Sequence, residues 1–428
     1  MKGRSKVNST LKYDLVVIGG GPAGMAAALE AKKNGVGKII ILERAETLGG
    51  ILEQCIHTGF GLHYFGEELS GPEYAHKFIE LVEQSDIDVK TDTMVISISK
   101  ERMVTAVNNQ DGFIQIDATA VILAMGCRER ARGALDIAGS RASGVMTAGA
   151  AQKFVNIDGY MPGKKIVILG SGDIGLIMAR RMTLEGAQVK MVCELMPYSG
   201  GLTRNIVQCL DDFDIPLKLS CTVIEVHGTE RVEGITIAQV DENRNVIDGT
   251  QEFVECDTLL LSVGLIPENE LSKQIDIDMD PITSGPVVNE MRQTSLPGVF
   301  ACGNVLQVHD LVDYVTTESQ IAGLGAAKYI SNPNNDDSRY AFTKGGDGVR
   351  YIVPQKVNIN SKEEIKLYFR VADVYLKSKF VVSVGDEVLI EKRKQKFAPG
   401  EMENATLTLE MLEKIKENDE IVISIKER

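Results

Sequence analysis

The chain has 428 residues, 44% of them hydrophobic, and a formal net charge of −14. That length exceeds one hydrophobic core and predicts two or three domains, while the acidic balance argues against nonspecific nucleic-acid binding, which needs a basic footprint. No apolar run is long enough to span a bilayer, and the polar leader MKGRSKVNSTLKYD lacks an apolar signal core, so a cytoplasmic protein is the expectation.

The first patterned stretch is DLVVIGGGPAGMAAALEA, Asp14 to Ala31. Leu15–Ile18 is continuously apolar, as in a strand buried on both faces of a parallel sheet. Gly19, Gly21 and Gly24 follow at G-x-G-x-x-G spacing, with Pro22 and Ala23 between them. The first glycine permits a tight turn, the second admits a pyrophosphate, and the third lets the helix pack on the strand. The helix N-terminus then offers free N–H groups to the phosphates, and Gly35 is placed to end the helix. A second strand, KIIILE, closes on Glu43, followed by Arg44. Glu43 stands about twenty residues past the third glycine, where a carboxylate accepts hydrogen bonds from ribose hydroxyls.

The pattern recurs in KIVILGSGDIGLIMARRM, Lys165 to Met182, without a gap. Ile166–Leu169 is the strand, and Gly19, Gly21 and Gly24 fall on Gly170, Gly172 and Gly175, with Asp173 and Ile174 inside the turn. Gly35 falls on Gly186, and Glu43 on Glu194. A lone glycine motif is weak evidence, but strand, motif, helix and terminal acid occurring twice in register point to two bound dinucleotides. Leu195, Met196 and Pro197 follow Glu194, so no adjacent cation neutralises it. The second site is therefore expected to prefer NADH to NADPH, although Arg204 lies further on.

The seven cysteines form no C-x-x-C pair, which leaves reduced, mostly buried thiols as the expectation and makes a distant pair the rarer reading. His63, His76 and His227 show no metal-ligand spacing, and no metal is expected. NPNNDDSR, Asn332 to Arg339, is a polar linker. Beyond it KLYFRV alternates at Leu367, Phe369 and Val371, ATLTLEML at Leu407 and Leu409, and EIVISI at Ile421, Ile423 and Ile425. Period two predicts a small antiparallel β domain, with LEKIKEN as a short helix and docking or closure as its role.

Two such units together resemble the flavoprotein disulfide-reductase-like superfamily. The likeness extends to AVILAMGCRER, with Gly126 in place and Met125 for the usual threonine, and to LLLSVGLIPEN, with Gly264 and Pro267. It extends also to TSLPGVFACGNV, where Gly303 is followed by Asn304 rather than aspartate. The resemblance implies an α/β fold with two Rossmann-like dinucleotide-binding domains, the NAD domain inserted in the FAD domain, plus the small C-terminal β domain. The expected boundaries are 1–143 and 264–338 for FAD, 144–263 for NAD and 339–428 for the β domain. It places FAD on Gly19, Gly21, Pro22, Ala23, Gly24, Glu43, Arg44, Gly50, Gly126, Gly303 and Asn304. NADH falls on Gly170, Gly172, Asp173, Ile174, Gly175, Glu194 and Gly264.

Hydride transfer between nicotinamide and flavin needs no triad or metal; the protein supplies position and electrostatics. Cys55 and His57 follow Leu48-Gly49-Gly50, where dithiol reductases place their redox pair, but one cysteine is no relay, so packing near the flavin is the leading reading of Cys55. The catalytic candidates are Cys55 as a redox thiol, His57 as a hydrogen-bond partner of the flavin or of a partner protein, and His309 near the flavin; Asp310 is a candidate helix cap, and Arg128 or Arg130 a partner for a cofactor phosphate or an acidic neighbour, against the blander solvated turn. A narrower likeness, carried by LGGILEQCIHTGFG, MGCRERARGALDIAGSRASGVMTAGAAQ and CGNVLQVHDLVD, is to a branch accompanying a bacterial glycerol-3-phosphate dehydrogenase. Relatives of that branch are nucleotide-binding subunits of opine oxidase, hydrogen cyanide synthase and sarcosine oxidase. It implies electron transfer to a second flavoprotein dehydrogenase subunit or a small redox protein, with a homo-oligomer as a further expectation. The alternatives are a nucleotide-binding component of an amine or amino-acid dehydrogenase and a conduit without turnover.

Overall fold

The computed structural model describes residues 10–333 and 339–427. The start of the polar leader and most of the expected linker lie outside them. The chain forms two compact units. Of the described residues, one unit holds those up to Glu53, Thr58–Cys127 and those from Pro267 onward; the other holds Gln54–His57 and Arg128–Ile266. The C-terminal β region thus belongs to the same unit as the first glycine turn.

In the first unit, strand Leu11–Ile18 runs parallel between Ile39–Leu42 and Gly112–Leu123. Asp88–Lys90 extends the parallel order beyond Ile39–Leu42. Val299–Ala301 lies parallel to the end of Gly112–Leu123, pairing Ala301 with Leu123. Leu15, Val16 and Val17 are completely buried, because helices and a second layer cover both sheet faces. Helix Pro22–Lys33 packs on helix Val312–Ser331. Their approach is close: a Cβ on Gly323 would strike the Ala27 carbonyl.

The C-terminal region forms two sheets. Lys356–Asn358, Tyr340–Gly345, Glu420–Lys426, Tyr375–Val384 and Glu387–Phe397 make one; Val349–Val353, Ile365–Val371 and Glu403–Leu407 make the other. Leu367, Phe369, Val371, Ile421, Ile423 and Ile425 share one core, as their alternation predicts. Three expectations need correction. Tyr340–Gly345 pairs with Glu420–Lys426 in parallel, so the region is mixed rather than antiparallel. The strand ends at Leu407, and Leu409 is exposed. The short helix is Leu409–Leu412, ahead of the predicted place.

In the second unit, Val145–Thr147, Thr258–Leu261, Lys165–Leu169, Gln188–Cys193 and Leu217–Lys218 form an all-parallel sheet in that order. A second sheet orders Ala138–Gly139, Cys221–His227, Gly234–Gln239 and Glu252–Glu255. The two faces of Lys165–Leu169 feed separate cores: Val167 and Leu169 against the second sheet, Ile166 and Ile168 against helix Asp173–Leu184. Among the described residues no helix is long and apolar enough to cross a membrane.

Candidate functional site

The two glycine turns are built alike. Gly19 and Gly170 have φ of 107° and 101°, and a Cβ on either would strike a neighbouring strand's backbone, at Ala124 and Ser262 respectively. A Cβ on Gly24 or Gly175 would meet the carbonyl oxygen of Gly19 or Gly170, so only glycine lets these helices start so close. Gly21 and Gly172 instead face space, their nearest atoms being Gly50 Cα at 3.9 Å and Ser262 Oγ at 3.7 Å. These are the positions where a pyrophosphate needs room.

The first turn leads into helix Pro22–Lys33, which has Pro22 at its start, no side-chain cap and no acidic residue in its first turn. Its leading N–H groups are free for an anion. Glu43 is buried, and Oε2 accepts from Gly20 N at 2.6 Å while Oε1 accepts from Ala45 N at 2.8 Å. Each carboxylate oxygen retains capacity for a second donor, such as a ribose hydroxyl. Arg44 beside it is exposed. A Cβ on Gly303 would sit 2.7 Å from Ala23 Cβ, so the second flavin signature lies against the first helix. Strand pairing of Ala301 with Leu123 brings Gly126 to the same carboxyl end of the sheet. Gly19–Gly24, Gly50, Gly126 and Gly303–Asn304 thus converge where α/β sheets bind ligands. The observed cradle fits FAD.

The second turn repeats the carboxylate arrangement. Glu194 Oε2 accepts from Ser171 N at 2.8 Å and Ser171 Oγ at 2.6 Å, and Oε1 accepts from Met196 N at 2.9 Å. Here the helix does begin with an acid. Asp173 Oδ1 accepts from Leu202 N at 2.8 Å and Asn205 Nδ2 at 2.7 Å, so its charge is turned to the following loop. Ser199 Oγ donates to the Ser171 carbonyl at 3.1 Å, drawing the same loop over the turn. Ile174 packs against the helix-side core, Gly264 accepts from Arg130 N at 3.0 Å, and Arg204 is exposed. The open Gly172 and the placed Glu194 fit a nicotinamide dinucleotide.

The weaker candidates separate. Cys55 hydrogen-bonds Gln152 Oε1 at 3.9 Å, and burial pushes its thiol up to about 12, away from a reactive thiolate. His57 is half-buried in the same segment. Arg128 and Arg130 are exposed. Asp310 does not cap the helix: Leu311 holds that position, and Asp310 Oδ1 accepts from Arg370 Nη2 at 3.3 Å and Met402 N at 3.2 Å. His309 is wholly buried, and desolvation holds its imidazole below the usual range. Asn304 Oδ1 accepts the His309 N–H at 3.0 Å, while its amide faces Cys127 Sγ at 3.5 Å. Cys193, Cys209, Cys221, Cys256 and Cys302 are buried free thiols. Cys193 and Cys221 nevertheless meet as hydrogen-bonded thiols in one buried core, which raises the first and lowers the second. No group of side chains suited to a metal occurs among the described residues. Gly20 and Ser171, which hold the two carboxylates, are not legible as site residues, because they occupy the variable places between the motif glycines.

The family model for pyridine nucleotide-disulphide oxidoreductases matches residues 13–329, and the chain belongs to this family. Its members use FAD with a nicotinamide dinucleotide. Among particular relatives, the chain is 25% identical to hydrogen cyanide synthase subunit HcnB of Pseudomonas protegens over 68% of its own length and 65% of that protein. It is 25% identical to an opine oxidase subunit of Agrobacterium tumefaciens over 68% of its own length and 61% of that protein. The match therefore spans less than two thirds of either relative. Lactococcus lactis thioredoxin reductase shares the fold, with a TM-score of 0.61, 22% identity, and coverage of 74% of this chain and 99% of that one.

Proposed function

We propose that this protein is an FAD-dependent oxidoreductase that passes electrons between NADH and a partner flavoenzyme or small redox protein. The observation that carries the reading is the pair of matched cradles, each with an open middle glycine and a carboxylate held by the turn's own amide. FAD supplies hydride acceptance and release when bound. The residues of this chain bind and orient: the first helix N-terminus receives the pyrophosphate, Glu43 a ribose, and Gly303 and Asn304 line the ribityl side. Glu194 does the same for the nicotinamide dinucleotide. Leu195, Met196 and Pro197, which follow Glu194, carry no cation, which favours NADH over NADPH. The stretches around Cys55, Gly126 and Asn304 support glycerol-3-phosphate oxidation as the setting.

A second reading has its own support: similarity to the opine oxidase protein favours a nucleotide-binding component of an amine or amino-acid dehydrogenase. Parallel anaerobic titrations of the FAD-loaded protein with NADH and NADPH test the first reading. It expects reduction by NADH at a concentration at least tenfold lower. Flavin that stays oxidised with both removes it, and equal response to both removes the NADH preference.

A further inference from the structure

Among the described residues, six buried side-chain N or O atoms have no hydrogen-bond partner. Arg292 Nη2, Gln307 Oε1, both His309 ring nitrogens and Tyr368 Oη make up five of them, gathered around Glu318. The Glu318 and Arg292 side chains are completely buried, with Arg292 Nε 3.3 Å from Oε1. Gln307 Nε2 donates to the same oxygen at 2.8 Å. Oε2 accepts the Gly303 N–H at 3.2 Å, and His309 Nε2 lies 3.3 Å from it. Glu318 thus holds Gly303, and the His309 amide holds Asn304. Both residues of the second flavin signature are tied to one cluster.

The C-terminal sheet closes that cluster. Tyr368, on strand Ile365–Val371, meets the His309 ring at 6.2 Å and lies beneath the Arg292 guanidinium at 5.8 Å. Arg370 anchors the same strand to the loop, donating to the Val308 carbonyl at 3.0 Å. Lys366, the buried Glu290 and the Asp310–Arg370 pair are further charges nearby. Water is excluded, so a charge here is screened weakly and acts over a longer range than at a surface.

We propose that Glu318 is a positioning residue for the flavin, fixing the Gly303–Asn304 turn and lowering the reduction potential of the bound FAD through its buried charge. This rests on the FAD reading above. Replacing the carboxylate by a neutral amide removes one buried negative charge, leaving Glu290 as the carboxylate beside Arg292, and the more positive cluster favours the more electron-rich reduced flavin.

The test is a reductive titration of FAD-loaded Glu318→Gln against an equilibrating redox dye, beside wild type and Tyr368→Phe. The ratio of reduced to oxidised flavin at a fixed dye ratio rises about tenfold in Glu318→Gln, equivalent to about 30 mV for a two-electron couple. Tyr368→Phe removes a hydroxyl from the same cluster without changing charge, and its ratio stays within twofold. A rise below threefold in Glu318→Gln, or an equal rise in Tyr368→Phe, overturns the proposal. Should Glu318→Gln not fold, Glu318→Asp keeps the charge but withdraws it from Gly303. FAD affinity of the stripped protein then falls about tenfold, and unchanged affinity overturns the proposal. A wild-type chain that takes up no FAD defeats the functional reading instead.

Discussion

Removing the Glu43 side chain tests the first cradle most sharply. Glu43→Ala strands two amide donors: the buried Gly20 N, now 2.6 Å from Oε2, and the N of exposed Ala45, now 2.8 Å from Oε1. An unsatisfied buried donor costs about 1–3 kcal/mol, and water satisfies the exposed Ala45 amide, so the variant loses about 1–3 kcal/mol of stability. At about 1 °C per kcal/mol for a chain of this length, the melting temperature of the FAD-free protein falls by about 1–3 °C. The FAD-specific part is separate. A ribose hydrogen bond to a charged acceptor contributes about 1.5–3 kcal/mol, so FAD affinity drops about 10–100-fold. Thermal melts of stripped protein read the first effect, and titration of stripped protein with FAD reads the second. Affinity within threefold of wild type refutes the ribose role of Glu43. An unchanged melting temperature refutes the structural role.

His309 sits buried with its proton affinity lowered, so the unfolded chain binds a proton the native state does not. Stability contributed by neutral His309 is full above about pH 6.5 and falls as pH drops, by up to about 1.4 kcal/mol per pH unit; His309→Gln flattens that acid-side slope in melts from pH 7 to 5. Cys55→Ser leaves flavin reduction by NADH within twofold, and Cys55 alkylates more slowly at pH 8 than a free thiol, because burial keeps it protonated. Ile423→Ala opens the completely buried core of the C-terminal sheets and costs about 2–5 kcal/mol in denaturant unfolding, with m unchanged.

The cradles were legible because their signal is local: glycine spacing, an apolar strand before it and an acid after it fix the turn whatever surrounds it. The alternation at Leu367, Phe369 and Val371 was legible for the same reason. Leu409 misled because period two continues past Leu407, where the backbone turns into a helix instead. Glu318 was illegible. In the stretch Thr316-Thr317-Glu318-Ser319 it reads as a solvated helix face, yet Thr316, Glu318 and Ser319 are completely buried. Their burial comes from distant partners, Arg292 before the helix and the C-terminal strand after it, and no short-range pattern records that. Asp310 likewise reads as a helix cap, but Arg370 and Met402 claim its carboxylate from far along the chain.

We propose that one polypeptide seats a flavin and a nicotinamide dinucleotide in paired anion cradles. Anaerobic mixing of the FAD-loaded protein with one equivalent of NADH measures it, alongside Gly172→Val, which fills the second cradle. Wild type loses the yellow of oxidised flavin, and the variant stays yellow. A chain that takes up no FAD, or a variant bleached as fast as wild type, contradicts the proposal.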